Sequence, residues 1–195
     1  MTSRSPLPRF VLLTLAWLPV TFVVWYFAAP ILLYPATALA EGVLRFGFAD
    51  LVRSVGGDGS TVQIVTTLKP GQATGGGQVI VDVNALLYSF GMPMFAALAL
   101  AAREPAWPRI VVGGLAAMLP FIAWGIVADF LKNVAIAAGP AVASQTGFSP
   151  AQREAIAFAY QFGTLILPTV VPAALWVVTH RAFLERVRSE FAAQR

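Results

Sequence analysis

The chain has 195 residues, of which 58% are hydrophobic and 11% are charged, with one histidine and no cysteine. A soluble domain carries about 25% charged residues, so this composition indicates an integral membrane protein, and it excludes disulfides, a cysteine nucleophile and a cysteine- or histidine-rich metal site. The net charge is +4, but no cluster of basic residues is interleaved with aromatic residues, so no nucleic-acid binding is expected.

Four long stretches contain no charged residue: 10–40, 83–102, 110–128 and 155–180. Each is near or above the roughly 18–20 apolar residues that cross a bilayer as a helix. They predict a mainly α-helical fold, a polytopic bundle of four transmembrane helices in one membrane domain. The predicted spans are about 10–35, 84–102, 110–135 and 150–179.

The first span follows Arg9 and carries Trp25 and Tyr26 toward its outer end, where aromatic rings favour the headgroup region. A basic start and the small residues 38–40 are also typical of a cleaved signal peptide. The apolar run is longer than the roughly 7–15 residues of a signal-peptide core, so a retained membrane anchor is favoured.

Residues 38–83 are predicted to form a periplasmic insert. Apolar residues at helical spacing predict an amphipathic helix over 38–55, which lies on the outer membrane surface, packs over the mouth of the bundle or extends the first span. Period-two alternation over 62–68 and 78–83 predicts two strands of a β-hairpin around a Gly- and Pro-containing loop. Because an isolated hairpin is marginally stable, it should rest on the helix, the span ends or a partner.

The next two spans contain residues with specific expected roles. Asn84 is expected to cap the second span, and Pro93 is expected to kink it. In the third span, the small residues Gly113 and Ala117 predict a face that allows close helix contact, and Gly114 lies beside them.

The fourth span and the tail also carry recognisable signals. Ser149, followed by Pro150 and by Gln152 three positions on, predicts a capping box. Pro168 and Pro172 are expected to bend this span. Residues 180–195 are predicted to form an amphipathic cytoplasmic tail near anionic lipid.

The distribution of basic residues predicts the orientation. With the N-terminus inside, the inner side holds Arg4, Arg9, Arg103, Arg109, Arg181, Arg186, Arg188 and Arg195, and the outer loops hold Arg45, Arg53, Lys69 and Arg153. Since basic residues concentrate in cytoplasmic loops, both termini of this multi-pass protein are predicted to be cytoplasmic.

A polar cluster at the end of the third span is the first candidate site. Asp129, Lys132 and Asn133 share one helix face by their spacing. Asp129 lies roughly 28 Å along the helix from Ile110, near the outer interface. The cluster is therefore either a partly solvated ion pair at a helix end or a functional polar site that opens outward.

Three further residues lie where the hairpin enters the second span: Asp82, Asn84 and Tyr88. Their predicted depth matches that of Asp129. We hypothesise one outward-facing polar pocket, roofed by the hairpin, and the alternative is a simple strand end and helix cap. His180 is interpreted as an interfacial residue. No catalytic residue, metal site or cofactor is predicted, because no phosphate, dinucleotide or metal motif is present.

Three segments together resemble a known family: RFVLLTLAWLPVTFVVWYFAAPILL, VQIVTTL and VDVNALLYSFGMPMFAALALA. They are similar to the exosortase H-associated membrane proteins, small accessory proteins of Gram-negative bacteria. The resemblance implies an inner-membrane location, with an exosortase and its substrate proteins as partners. Exosortases use a cysteine nucleophile, which this chain lacks, so the resemblance implies an accessory protein and assigns no role to individual residues.

Three functions remain open at this point. The first is a non-enzymatic accessory that packs against an exosortase in a protein-sorting system. The second is a membrane-embedded enzyme or small-solute carrier that uses Asp129, Lys132 and Asn133. The third is a structural envelope module that binds a periplasmic protein through its hairpin by strand addition. Membrane lipid is a partner in all three, and the oligomeric state is not predicted.

Overall fold

A computed structural model of the chain describes residues 6–57, 60–70 and 77–193. It is mainly helical with a small three-stranded sheet, which confirms the mainly α-helical part of the prediction, while the predicted bundle of four spans is not confirmed. Three helical segments are long and apolar enough to cross a membrane: Leu7–Leu32, Trp107–Ala137 and Pro150–Thr179. The second predicted span corresponds to a shorter apolar helix, Leu86–Ala102. Arg4, Arg195 and most of the predicted hairpin loop lie outside the described residues.

The helices are α1 Pro6–Leu32, α2 Tyr34–Gly47, α3 Leu86–Ser89, α4 Gly91–Ala102, α5 Trp107–Lys132, α6 Pro140–Ala143, α7 Pro150–Gln161, α8 Leu167–Thr179 and α9 Arg181–Ala193. The strands are β1 Val52–Gly57, β2 Thr61–Thr66 and β3 Ile80–Asn84. Wider π-helical turns occur at Asn133–Ala137 and Phe162–Ile166, and a 3₁₀ turn occurs at Ser144–Thr146.

The chain divides into two compact units. Unit 1 consists of Met1–Ala28, Phe90–Met118 and Thr169–Arg195, and unit 2 consists of Ala29–Ser89 and Leu119–Pro168. Both units contain fully buried hydrophobic residues, such as Phe95 in unit 1 and Ile64 in unit 2.

Unit 1 is held together by aromatic packing between α1, α8 and α9. The ring centre of Phe10 lies 5.3 Å from Trp176 and 4.9 Å from Phe183, within the distance at which aromatic pairs attract.

The close helix contact in unit 1 is at Gly114, because a Cβ there would lie 2.1 Å from the ring of Phe95. The prediction that Gly113 and Ala117 form the packing face is wrong for the described residues. Both are exposed, and a Cβ on Gly113 would meet nothing within 4 Å. The sequence predicted the helix, but it did not show that the face with Gly114, and not the face with Gly113 and Ala117, makes the close contact.

Unit 2 contains the sheet, in the antiparallel order β1-β2-β3. The predicted alternation of β2 and β3 is confirmed, since Val62, Ile64 and Val83 are buried on one face. The helix predicted over 38–55 is wrong beyond Gly47, because residues 52–57 form β1 and pair with β2.

The error at β1 has a physical cause. The apolar residues Leu51, Val52 and Val55 fit a helical period, but valine also has a high strand propensity. Pairing with β2 satisfies backbone groups and adds a third strand, which makes the sheet more stable than a lone hairpin.

Irregular turns lie next to two of the prolines singled out in the sequence, Pro93 and Pro168, whereas α8 continues through Pro172 without a break. The helix of the second predicted span breaks at Phe90, between α3 and α4, because Pro93 cannot donate a hydrogen bond to the carbonyl of Ser89. The π-helical turn Phe162–Ile166 precedes Pro168, which similarly lacks a donor for Thr164. The predicted capping box at Ser149 is confirmed, with its side chain accepting from the backbone N–H of Gln152 at 3.3 Å.

Candidate functional site

The last turn of α5 carries a buried ion pair in unit 2. Nζ of Lys132 lies 3.0 Å from Oδ1 of Asp129. Asp129 is buried, with 11% of its side chain exposed, while the side chain of Lys132 is 25% exposed. The spacing of three residues brings both groups to one face of the helix, as the sequence predicts. Together they form a neutral pair, so burial is less costly than for either charge alone.

Asn133 completes the predicted cluster. Its Nδ2 atom donates to Oδ1 of Asp129 at 3.0 Å and to the backbone carbonyl of Asp129 at 2.9 Å. The side chain thereby occupies the carbonyl that a regular α-helix would offer to the backbone N–H of Asn133. The helix widens into the π-helical turn Asn133–Ala137 at this position. Such turns occur frequently at functional sites.

Two tyrosines border this cluster. Nζ of Lys132 lies 4.4 Å from the ring centre of Tyr160 in α7, a cation–π geometry. The hydroxyl of Tyr88 in α3 lies near the carboxylate of Asp129 and the hydroxyl of Thr164, but it is buried without a hydrogen-bond partner among the described residues. The structure therefore brings Tyr88 to Asp129, as the pocket hypothesis proposes.

Asp82 and Asn84 make local contacts instead. Asp82 is exposed and lies opposite Gln63 in the sheet, where its Oδ1 accepts from Nε2 of Gln63 at 3.1 Å. Oδ1 of Asn84 accepts from the backbone N–H of Leu86 at 3.0 Å. These contacts match the alternative interpretation, a strand end and a helix cap, and the second agrees with the capping role expected of Asn84.

Two glycines that sequence reasoning did not select bring the helices of the site close together. A Cβ on Gly125 would lie 2.2 Å from the ring of Tyr88. A Cβ on Gly163 would lie 3.3 Å from Cα of Gly125. The absence of side chains at both positions lets α3, α5 and the second π-helical turn approach one another. No sequence signal separates these glycines from the exposed Gly113 in the same helix as Gly125.

The polar groups of this cluster already contact one another, which limits the chemistry that they can perform on a bound molecule. The Asp129 carboxylate accepts hydrogen bonds from both Lys132 and Asn133, so its contacts are made within the same helix. Within residues 6–57, 60–70 and 77–193, no three His, Cys, Asp or Glu residues are grouped so as to hold a metal ion. The arrangement is suited to fixing α5 against α3 and α7.

Unit 2 contains an apolar groove with a volume of about 510 Å³. Its walls come from α2, α5 and α7, and small residues recur along them: Ala123, Ala128, Ala155 and Ala159. Trp124 stands in the wall, and its indole Nε1 donates to the backbone carbonyl of Ala159 at 3.1 Å. The groove therefore presents an almost entirely apolar surface.

His180 belongs to unit 1 and is buried, with 1% of its surface exposed. Nδ1 lies 3.1 Å from the backbone carbonyl of Trp176, and the two rings stack. Burial lowers the pKa of His180, while that hydrogen bond and the charge of Glu104 oppose the shift. Nε2 is buried without a partner among the described residues. His180 thus packs inside the protein, whereas the sequence suggested an interfacial position.

Comparison with known proteins identifies one family. Neither a curated protein nor a solved structure matches the chain. The sequence model of the family described as exosortase H-associated membrane protein matches residues 4–183, which extends well beyond the three segments that carry the resemblance. The chain therefore belongs to the exosortase H-associated membrane proteins.

Proposed function

We propose that this protein is a non-enzymatic accessory protein of an exosortase-type sorting system and packs against the exosortase within the membrane. The apolar groove of unit 2 is the observation that carries the proposal. Its occupant is a transmembrane helix of the exosortase, the partner that the family description names.

The lining of the groove supports a helix as its occupant. In lipid, helices associate through close packing, and small residues allow their backbones to approach. Ala155 and Ala159 lie four residues apart on α7, and Ala123 and Ala128 lie on the facing wall from α5. Because the indole of Trp124 already has an acceptor, an apolar helix would leave no polar group of that wall unsatisfied.

The distribution of charge supports the proposed orientation in the inner membrane. The sequence assigns eight basic residues, among them Arg9, Arg103 and Arg186, to the cytoplasmic side and four, among them Arg45 and Arg153, to the outer side. Both termini are then cytoplasmic, and residues 38–83 are periplasmic. This topology requires Leu86–Ala102 to cross the membrane as the second of four spans. At about 1.5 Å per residue it covers roughly 25 Å, which a locally thinned bilayer accommodates.

A substitution that fills the groove tests the proposal. Ala155 is exposed on α7, so Ala155→Trp should occupy the groove without disturbing the interior. Ala116→Trp is the matched control, because Ala116 is exposed on α5 and does not line the groove. Both variants are co-expressed with an exosortase from the same genome and extracted in mild detergent.

We expect Ala155→Trp to lose co-purification with the exosortase and Ala116→Trp to retain it, with both variants expressed and folded like the wild type. Equal recovery of the enzyme with the two variants would contradict the proposed docking site. Recovery of the unsubstituted protein alone, with both proteins expressed, would contradict the accessory function itself.

The polar cluster supports a second candidate function, a membrane enzyme or small-solute carrier. Its basis is the buried pair of Asp129 and Lys132 beside a π-helical turn, since ionisable groups within membrane segments often serve function. This candidate requires Asp129→Asn to abolish activity in cells while normal expression is retained. Full complementation by that variant would exclude it.

The sheet supports a third candidate, binding of a periplasmic protein by strand addition. In the described three-stranded order, β1 and β3 are the edge strands, and Ile80 at the start of β3 is 52% exposed. An extended peptide could pair with such an edge. A proline at Ile80 should then abolish binding while the helices stay folded, and unchanged binding would exclude this edge.

A further inference from the structure

Unit 1 contains a second concave site, with a volume of about 270 Å³ and a composition unlike that of the groove. It lies between α1, the end of α4 and α9. Its charged residues are Arg9, Arg103, Arg186 and Glu190, and its apolar residues include Phe10 and Leu13. The site therefore combines a basic part with an apolar part.

The backbone at Arg103 indicates that its side chain has a role. Arg103 ends α4 in the left-handed conformation, with φ 54° and ψ 36°. It is the only non-glycine residue with positive φ in the described part of the chain. Glycine is the usual residue at this position after a helix, because a Cβ there is sterically disfavoured. An arginine at a position suited to glycine suggests that its guanidinium contributes something glycine cannot.

The positive charge of the cavity is only partly neutralised. Arg186 is held by Glu104, with Nη2 at 2.6 Å from Oε1. Arg9 and Arg103 form no salt bridge with other described residues. The cavity lining therefore holds three arginines and one carboxylate, that of Glu190, while Glu104 pairs with Arg186. The cavity keeps a net positive charge, and the exposed Arg9 and Arg103 are available to a ligand.

We propose that this cavity binds an anionic phospholipid, with its phosphate on Arg9 and Arg103 and its acyl chain against Phe10 and Leu13. Guanidinium groups bind phosphate through paired hydrogen bonds, and basic pockets beside membrane helices bind anionic headgroups. A free phosphate would leave the apolar part of the cavity unused, so the lipid is the better match. This proposal does not depend on an exosortase partner.

The test uses the full-length protein, delipidated in detergent. Native mass spectrometry measures its binding of phosphatidylglycerol, with phosphatidylcholine and inorganic phosphate as comparison ligands. The variants are Arg9→Gln/Arg103→Gln and Arg103→Gly, the second of which suits the left-handed backbone and should fold at least as well as the wild type. Arg188→Gln is the matched control, since Arg188 is exposed on α9 and does not line the cavity.

We expect phosphatidylglycerol to bind in preference to phosphatidylcholine. Removing two phosphate contacts should weaken its binding by about tenfold or more, and Arg103→Gly alone should weaken it by several-fold. Arg188→Gln should bind like the wild type. Equal binding of the two lipids, or unchanged binding by both cavity variants, would overturn the site. If inorganic phosphate competes as well as the lipid does, the site is one for free phosphate and the lipid proposal is overturned.

Discussion

Replacing Asp129 by asparagine tests the buried pair directly. The substitution keeps the size of the side chain and removes its charge, which leaves Lys132 without its counter-ion. In the wild type the two charged atoms are 3.0 Å apart, and the side chains are 25% and 11% exposed. The substitution therefore changes the electrostatics of the site with little change in packing.

The expected magnitude follows from distance and burial. Two unit charges about 3 Å apart attract by roughly 5 kcal/mol at an effective dielectric constant of about 20. Part of this attraction offsets the desolvation of both groups. Breaking a buried pair from one side typically costs about 3–5 kcal/mol. Because Lys132 keeps some exposure and contacts the ring of Tyr160, we expect Asp129→Asn to lower the free energy of unfolding by about 3 kcal/mol.

A double variant distinguishes the cost of leaving Lys132 unpaired from other effects of replacing Asp129. Asp129→Asn combined with Lys132→Met removes both charges, so the free energy of unfolding should return to within about 1.5 kcal/mol of the wild type. The assay is reversible unfolding in mixed micelles of mild detergent and sodium dodecyl sulfate, followed by tryptophan fluorescence.

Glu41→Gln provides the control for a surface ion pair. Oε1 of Glu41 lies 2.7 Å from Nη2 of Arg45, but the two side chains are 35% and 60% exposed. Breaking this pair should therefore lower the free energy of unfolding by less than about 1 kcal/mol. If Asp129→Asn costs no more than Glu41→Gln, or if the double variant is as unstable as Asp129→Asn, the account of the buried pair is refuted.

Three further predictions follow from particular residues. Gly125→Ala should destabilise unit 2 by about 1–3 kcal/mol through overpacking, whereas Gly113→Ala on the same helix should have no such effect because its surroundings are open; equal unfolding free energies in the same micelles would contradict this. His180 has a folded-state pKa below its usual 6.5, so only the unfolded chain takes up its proton as the pH falls below 6.5. Stability should therefore be full above pH 6.5 and decline below it, and His180→Phe should weaken that decline; an unchanged pH profile would refute the assignment. Reporter fusions at Gly77 and Pro105 should lie on opposite sides of the membrane if Leu86–Ala102 crosses it, and a shared compartment would exclude Leu86–Ala102 as a span.

The spacing of apolar residues predicted a strand correctly only where that spacing fits a strand and does not fit a helix. The alternation of Val62, Ile64 and Thr66 has no helical interpretation, and those residues are buried in β2. The apolar residues of β1 fit either period, and only pairing with β2 decides between them. Such pairing depends on residues distant in the chain, which single-segment patterns do not report.

The same distinction applies to the candidate site. The proximity of Asp129, Lys132 and Asn133 follows from spacing on one helix, so the sequence predicted it correctly. The approach of Tyr88 was predicted from shared depth, but depth does not specify direction, and Asp82 makes its own contact with Gln63. The close contact at Gly125 depends on which face of α5 meets Tyr88, and the sequence carries no signal for that face.

The groove of unit 2 is proposed to receive a helix of the exosortase. Photo-crosslinking in native membranes can detect that contact, with a photoreactive amino acid placed in the groove at Val43, which is 51% exposed, or at the control position Phe27, which is 77% exposed on α1. We predict a crosslink to the exosortase from Val43 and none from Phe27. Crosslinks of equal yield from both positions, or none from Val43 while the two proteins still co-purify, would contradict the claim.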